Sequence, residues 1–341
     1  MSTKNFMRRP TFNDLAKQTS LSIATISAYF NNRDIVKPET QLRISKAIKD
    51  LNYIQDDLAA SLKKRSTNSL GVIIPDISNP YYSSVLKGVE YRAQKYDLDI
   101  FISSTGYNPN VERKRINSFL RKRIDGLIVV SGLNIDEYLI KLNNDGLPVI
   151  LVLRKIIEGK IPSILIDNKK AAFNSIKYLY EKGHKNILYI TCNFENLNTI
   201  KDRYAGYIEA IDYFKLKNYE IISDKILTHE LEIDEELVNN ILSYIGKVDA
   251  VFTYTDLLAI SLIKNLKRNG IKIPEEISII GFDNIIISDF VDPPLTTTKQ
   301  PKKLMGALAV DLFNKIKNGE HFDSLNYIDT NIVERGSVKL L

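Results

Sequence analysis

Residues Thr11 to Asn31 read Thr-Phe-Asn-Asp-Leu-Ala-Lys-Gln-Thr-Ser-Leu-Ser-Ile-Ala-Thr-Ile-Ser-Ala-Tyr-Phe-Asn, two short helical patterns with a tight turn between them. Thr11 is a good N-cap with Asp14 three residues on, close to a capping box, and Phe12, Leu15 and Ala16 supply one apolar face. Ser22 caps the second helix. There Ile26, Tyr29 and Phe30 fall at i, i+3 and i+4 and are expected to face a core, which leaves Ile23, Ala24, Ser27 and Ala28 on the opposite, exposed side. So small and uncharged a face suits a groove, and the pair reads as a helix-turn-helix. Taken alone, it fits an ordinary helical hairpin equally well.

Charge separates the two readings. Residues 1–68 hold 12 Lys or Arg against 6 Asp or Glu, while the other 273 residues hold 35 of each, so the whole net charge of +6 sits with the helix pair. That placement is what neutralising phosphates requires, and it favours DNA binding. Working outward, Met1 to Pro10 is polar and basic, and is expected to be either a disordered start or an arm near the DNA backbone. Asn32-Arg33-Asp34 is turn-like, and Pro38 opens a third helix whose core stripe is Ile44, Ile48 and Leu51, with Arg43, Lys46 and Lys49 outward. Asp56 to Arg65 has an acidic start, an apolar run and a basic end, a dipole-matched helix too short to be stable alone. Ser66-Thr67-Asn68 reads as linker.

From Ser69 short apolar runs alternate with amphipathic stretches. Strands are expected at Leu70–Ile74, Asp99–Ser103, Gly126–Val130, Val149–Leu153, Ile187–Thr191, Ala250–Thr253 and Ser278–Phe282. Helices are expected at Tyr82–Tyr96, Val111–Lys122, Ala171–Lys182, Tyr204–Phe214 and Leu257–Asn269. Repeated βαβ implies doubly wound parallel sheets, and some 270 residues of it imply two lobes with a ligand cleft between them at the strand carboxyl ends.

Other function classes lack their signatures. There is no apolar run of membrane-spanning length and no secretory leader, so a cytoplasmic location is expected. The single Cys192 lies in an apolar run and reads as a buried structural thiol; with His184, His229 and His321 scattered, no metal site of usual spacing exists. No Gly-x-Gly-x-x-Gly, phosphate-loop lysine or nucleophile elbow is present, so neither an enzyme nor a cofactor is expected.

Several stretches, in this order, carry a resemblance: Asn13-Asp14-Leu15-Ala16, Ala24-Thr25-Ile26-Ser27, Leu58-Ala59-Ala60-Ser61-Leu62, Gly71-Val72-Ile73-Ile74-Pro75-Asp76-Ile77-Ser78-Asn79-Pro80-Tyr81-Tyr82, Ile279-Ile280-Gly281-Phe282-Asp283 and Pro294-Leu295-Thr296-Thr297-Thr298. The chain resembles a LacI/GalR family transcriptional regulator over essentially its whole length. The resemblance implies an all-α helix-turn-helix headpiece (1–55), a hinge helix and linker (56–68), and a periplasmic-binding-protein-like α/β core (69–341). In that core the N-lobe takes about 69–167 and 299–326 and the C-lobe about 168–298 and 327–341, with crossovers near Asp167, Thr298 and Tyr327. It further implies a dimeric repressor on a pseudo-palindromic DNA operator, controlled by a small-molecule effector, most simply a carbohydrate. No leucine heptads occur near Leu341, so a dimer is expected rather than a tetramer.

Carried over by position, Ile23, Ala24 and Ala28 take the family's base-contacting places, with Thr11, Ser22, Thr25 and Ser27 as further DNA-binding residues of the helix pair. Leu62 matches the hinge leucine that wedges into the minor groove, Leu58 and Ala59 line the paired hinge helices, and Lys63 follows as a phosphate neighbour. In the core, Tyr81 and Tyr82 match aromatic effector contacts, or else pack the start of a helix. Arg154, Arg203, Asp283 and Gln300 match the polar set of sugar-binding relatives, with Arg203 and Asp283 alternatively an interlobe ion pair. Four positions depart from the family pattern: Ser20 replaces the turn glycine, Ala28 replaces a frequent arginine, Leu153 replaces the aspartate before Arg154, and Thr255, itself an effector-site position, replaces an asparagine. The first puts the turn geometry in question, and the second shifts recognition toward thymine methyls and DNA shape. The last two weaken a plain monosaccharide pose.

Overall fold

The structure is a computed structural model that describes residues 10–54, 66–130, 135–156, 158, 161–192, 198–223 and 233–341. The chain divides into two compact units, Met1–Thr67 and Asn68–Leu341.

Three helices build the first unit: α1 (Phe12–Thr19), α2 (Ile23–Asn31) and α3 (Pro38–Asp50). The capping box forms in full, because Thr11 N and Oγ1 both donate to Asp14 Oδ2 at 2.8 Å while Asp14 N returns a bond to Thr11 Oγ1. Ser22 Oγ accepts from Thr25 N at 3.1 Å and starts α2. Leu15, Ile26, Ile44, Ala47 and Tyr53 are buried, with Phe12, Tyr29 and Phe30 packed around them. Phe12 stacks on Phe30 with ring centroids 5.4 Å apart, so much of this small core is aromatic. Ser20 makes the turn after α1 in the left-handed conformation, φ 52° and ψ 39°, with its N–H on the Ala16 and Lys17 carbonyls. The serine therefore performs the turn that a glycine makes without steric cost.

The second unit alternates strand and helix: β1 (Ser69–Ile74), α4 (Pro80–Lys95), β2 (Asp99–Ser104), α5 (Pro109–Arg121), β3 (Gly126–Val130), α6 (Asp136–Asn144), β4 (Val149–Val152) and β5 (Ser163–Leu165) form one run. The next comprises α7 (Asn168–Glu181), β6 (Ile187–Cys192), α8 (Asn198–Tyr213), β7 (Tyr219–Ser223), α9 (Glu235–Leu242), β8 (Ala250–Thr253), α10 (Asp256–Arg268), β9 (Ser278–Asp283) and β10 (Thr296–Lys299). Helix α11 (Lys302–Lys317), β11 (Leu325–Tyr327) and β12 (Asn331–Val333) complete it.

Two six-stranded sheets result, ordered β11-β5-β4-β3-β1-β2 and β12-β10-β9-β8-β6-β7; every pairing is parallel except β10 with β12. The chain passes between them three times: from β5 to α7, from β10 to α11, and from β11 to β12. Both inner sheets are near-continuous Val, Ile and Leu, as strands covered on both faces must be.

Strand β10 shows why a polar run can still be core. Thr296, Thr297 and Thr298 are fully buried, and each hydroxyl has a partner: Arg335 N, Asp256 Oδ1 and Ser175 Oγ respectively. Among the described residues no helix is long and apolar enough to cross a membrane.

Candidate functional site

On α2, Ile23 is half exposed and Ala24 is exposed, as expected for a face free to enter a groove. Ser27 and Ala28, expected on that same open side, are only partly exposed. Ser27 is engaged by its neighbour: Asn31 Nδ2 donates to the Ser27 carbonyl at 2.8 Å and to its Oγ at 3.1 Å. Thr25 is half-buried, with its hydroxyl 2.8 Å from Ser22 Oγ. Thr11 and Ser22 thus stand as helix caps with exposed side chains. Arg43, on α3, donates to the Thr19 carbonyl and ties the end of α1 to the third helix. The hinge residues Leu58, Ala59, Leu62 and Lys63 lie outside the described residues.

In the core, residues far apart in sequence converge at the carboxyl ends of β1 and β9. Tyr81, near the start of α4, donates its hydroxyl to Gln300 Oε1 at 2.8 Å; Gln300 Nε2 donates in turn to Asp283 Oδ1 at 2.6 Å. Tyr81 belongs to the first lobe, Asp283 to the second, and Gln300 to the segment crossing between them. This relay therefore spans the lobes. Arg203, on α8, lies 3.9 Å from Asp283 Oδ1 and over the Phe282 ring at 3.8 Å, and it donates to Asn168 Oδ1 and the Tyr254 carbonyl. Arg203 and Asp283 are both on the second lobe, so the ion pair does not bridge the lobes as the alternative reading required.

Electrostatics mark the same place. Burial pushes the Asp283 carboxyl up to about 7, against the pull of the Arg203 guanidinium. Asp283 also adopts φ 125°, a conformation side chains rarely take, and the next residue, Asn284, sits at φ 53°. Burial raises the Tyr81 hydroxyl well above its ordinary value, which keeps it a donor. Tyr82 is buried as well, with its hydroxyl 3.3 Å from that of Tyr107. Both tyrosines thus pack the helix start, with their hydroxyls turned to polar partners.

The expected polar set does not assemble completely. Arg154 pairs with Asp136 on α6, and its Nη1 is buried without a hydrogen-bond partner. It lines a cavity of about 230 Å³ with Asp167, Asn168, Asn198, Asp202 and Tyr327, and Asn168 of that lining also accepts from Arg203. Leu153, in the place of the usual aspartate, is buried at φ 66° and offers no acceptor. Thr255 is spent as the N-cap of α10, accepting from Leu258 N. The Cys192 thiol is buried and pushed up to about 12 by desolvation, an inert side chain.

Three participants carried no sequence signal. Lys302 is buried and bonds the carbonyls of Asp283 and Asn284, yet in a Pro-Lys-Lys run it reads as surface. Asn168 holds Arg203. Asp256 is completely buried and takes Ile285 N, Ser288 Oγ and Thr297 Oγ1, bracing the loop after β9. Among the described residues no cluster of three His, Cys, Asp or Glu could hold a metal ion.

Residues 11–56 match the family model for bacterial regulatory proteins of the lacI family, and residues 67–333 match that for periplasmic binding proteins and the sugar binding domain of the LacI family. Catabolite control protein A of Priestia megaterium is 34% identical over 317 residues, which cover 92% of this chain and 94% of that protein. The HTH-type transcriptional repressor CytR of Escherichia coli strain K12 is 30% identical over 343 residues, covering 100% of both. The crystal structure of a periplasmic binding protein/LacI transcriptional regulator from Alkaliphilus metalliredigens QYMF, complexed with D-xylulofuranose, matches with a TM-score of 0.72 at 27% identity, over 80% of this chain and 99% of that one. With a helix-turn-helix unit ahead of two parallel-sheet lobes, and with both family models matched in that order, the chain belongs to the LacI family of DNA-binding transcriptional regulators.

Proposed function

We propose that this regulator is a homodimeric repressor, acting in the cytoplasm, whose affinity for a pseudo-palindromic operator is set by a small polyhydroxylated ligand between the lobes, a sugar or sugar derivative. The observation that carries the reading is the Tyr81–Gln300–Asp283 relay. A ligand hydroxyl that takes the Asp283 carboxylate displaces Gln300 and breaks a contact between the lobes, so binding and lobe arrangement are linked. The D-xylulofuranose in the Alkaliphilus metalliredigens relative supports a sugar-type ligand. Without an acceptor at Leu153, and with Thr255 engaged as a cap, fewer hydroxyls are gripped than a plain monosaccharide presents, which favours a derivative.

On the DNA side, Ile23 and Ala24 are the open part of the recognition face, and Leu62 is the proposed minor-groove wedge, flanked by Leu58, Ala59 and Lys63. Self-association fits the exposed apolar side chains of both lobes: Phe101 and Ile102 on the edge strand β2, Ile286 and Phe290 after β9.

A duplex selected by the chain from a genomic pool supplies the assay. Leu62→Ala should weaken its binding without altering ligand binding; equal affinity ends the wedge assignment. A thermal-shift screen of sugars and sugar phosphates should yield a ligand that raises the melting temperature of the wild type and not of Asp283→Asn. A stabilising ligand whose effect survives that substitution places the effector elsewhere.

A further inference from the structure

Helix α11 runs from the cleft to the residue at which the linker enters the core, and a lysine holds each end. At its start, Lys302 Nζ donates to the carbonyl of Asp283 and, at 2.8 Å, to that of Asn284, while lying 5.7 Å from the centre of the Tyr81 ring. Those two carbonyls belong to the second lobe, and α11 packs on the first. At its end, Lys317 Nζ is 3.2 Å from Asn68 Oδ1 and 3.4 Å from Asp125 Oδ2. The same Asp125 oxygen accepts the Asn68 N–H at 3.0 Å, and Asn68 directly precedes β1. From one lysine to the other, both included, the helix is sixteen residues long, about 24 Å at 1.5 Å per residue.

The helix cannot absorb a displacement along this length. Its contact with α4 is backbone on backbone: a Cβ at Gly306 falls 2.1 Å from the Val85 carbonyl oxygen, and one at Gly88 falls 2.0 Å from that of Lys303. Lower down, Arg92 of α4 and Tyr96, the residue that follows that helix, both bond Asp311 at 2.8 Å. Near the end, the buried Phe313 ring lies so close to Gly126 that a Cβ there falls 2.5 Å from it. A rod packed this densely moves as a unit, and what shifts one end shifts the other.

We propose that α11 is the strut by which the state of the cleft reaches the linker to the headpiece, with Lys302 and Lys317 as its two positioning residues. The proposal rests on the ligand-controlled reading above and names the path that reading leaves open. A ligand on Asp283 alters the peptide groups that Lys302 holds, and the strut delivers the change to Asn68. Coupling of this kind is reciprocal, so disturbing either end must be felt at the other.

Hydrogen–deuterium exchange on the full-length protein, with neither DNA nor ligand, tests it. Lys302→Met should raise exchange across residues 66–72 by roughly threefold while leaving α5 unchanged, and Lys317→Met should do the same across residues 283–288. Lys317→Arg should restore protection at both places. Exchange altered only at the mutated end, or raised uniformly over the first lobe, overturns the strut. Lys317 is partly exposed, so its variants remain informative even if Lys302→Met fails to fold. Loss of the strut leaves the regulator reading intact; that reading falls separately if the wild-type chain retains no specific duplex from a genomic pool.

Discussion

The headpiece and the cleft of this regulator solve opposite problems. In the headpiece the helix caps are set within a single turn, Thr11 with Asp14 and Ser22 with Thr25, and a small aromatic contact, Phe12 on Phe30, holds the helices together. In the cleft, Tyr81, Arg203, Asp256, Asp283, Gln300 and Lys302 are drawn from five elements and one crossing segment, and the polar groups are buried. The first site is cheap to order and exposes apolar groups to a ligand already rigid. The second keeps charge out of water, so each carboxylate depends on its donors. Removing a single group should therefore cost far more in the cleft than in the headpiece.

The sharpest test is Asp256→Ala. It leaves Ile285 N–H and the Ser288 and Thr297 hydroxyls without their acceptor in a fully buried place. At about 1 kcal/mol or more for each unsatisfied donor, urea denaturation should show core stability lowered by about 3 kcal/mol or more. The headpiece transition should stay where it was. A loss below about 1 kcal/mol means that the loop after β9 re-pairs its donors unaided, and the contrast between the two regions fails.

A smaller effect is a pH slope contributed by the cleft. The Asp283 carboxyl is raised by burial to about 7 from an ordinary 3.8. Between those values the folded chain keeps a proton that the unfolded chain has released, so stability falls as pH rises through that window and levels off above it. One such group gives a slope of up to about 1.4 kcal/mol per pH unit. Asp283→Asn should flatten that component of the profile between about pH 4 and pH 7. A profile that Asp283→Asn leaves unchanged across that window contradicts the raised carboxyl.

The same contrast decided what could be read from the sequence. The headpiece helices, the cap residues and the alternation of strands and helices were legible because their signals repeat within a few residues: the strands from Leu70 to Ile74 and from Ser278 to Phe282 reappear with one-residue changes at their ends. Tyr81, Arg203, Asp283 and Gln300 were reached only through family resemblance, since nothing local to any of them points to the others. Lys302 and Asp256 were missed because a buried lysine or aspartate is recognised only by partners distant in sequence. Arg154 was grouped with Arg203, Asp283 and Gln300 by resemblance, whereas its guanidinium pairs with Asp136, a partner that no local signal announces. The helical angle that put Ser27 on the open face does not register a side chain such as Asn31 folding back onto it.

The smallest expected effect lies at the turn of the headpiece. Ser20 occupies the left-handed region at φ 52°, where a Cβ costs about 1 kcal/mol and glycine costs nothing sterically. Ser20→Gly should therefore stabilise the headpiece by up to about 1 kcal/mol, raising its own melting transition by several degrees while the core transition stays fixed. Operator affinity should hardly change, because the Ala16 and Lys17 carbonyls already position the turn and α2 begins at its own cap, Ser22. Should the substitution instead destabilise the headpiece, the added freedom of the unfolded chain outweighs the relief of strain, and Ser20 is better suited to its conformation than its φ suggests. Ser20→Val separates these outcomes: a β-branched side chain raises the cost of the left-handed turn without loosening the unfolded chain, so it must destabilise if strain is the governing quantity.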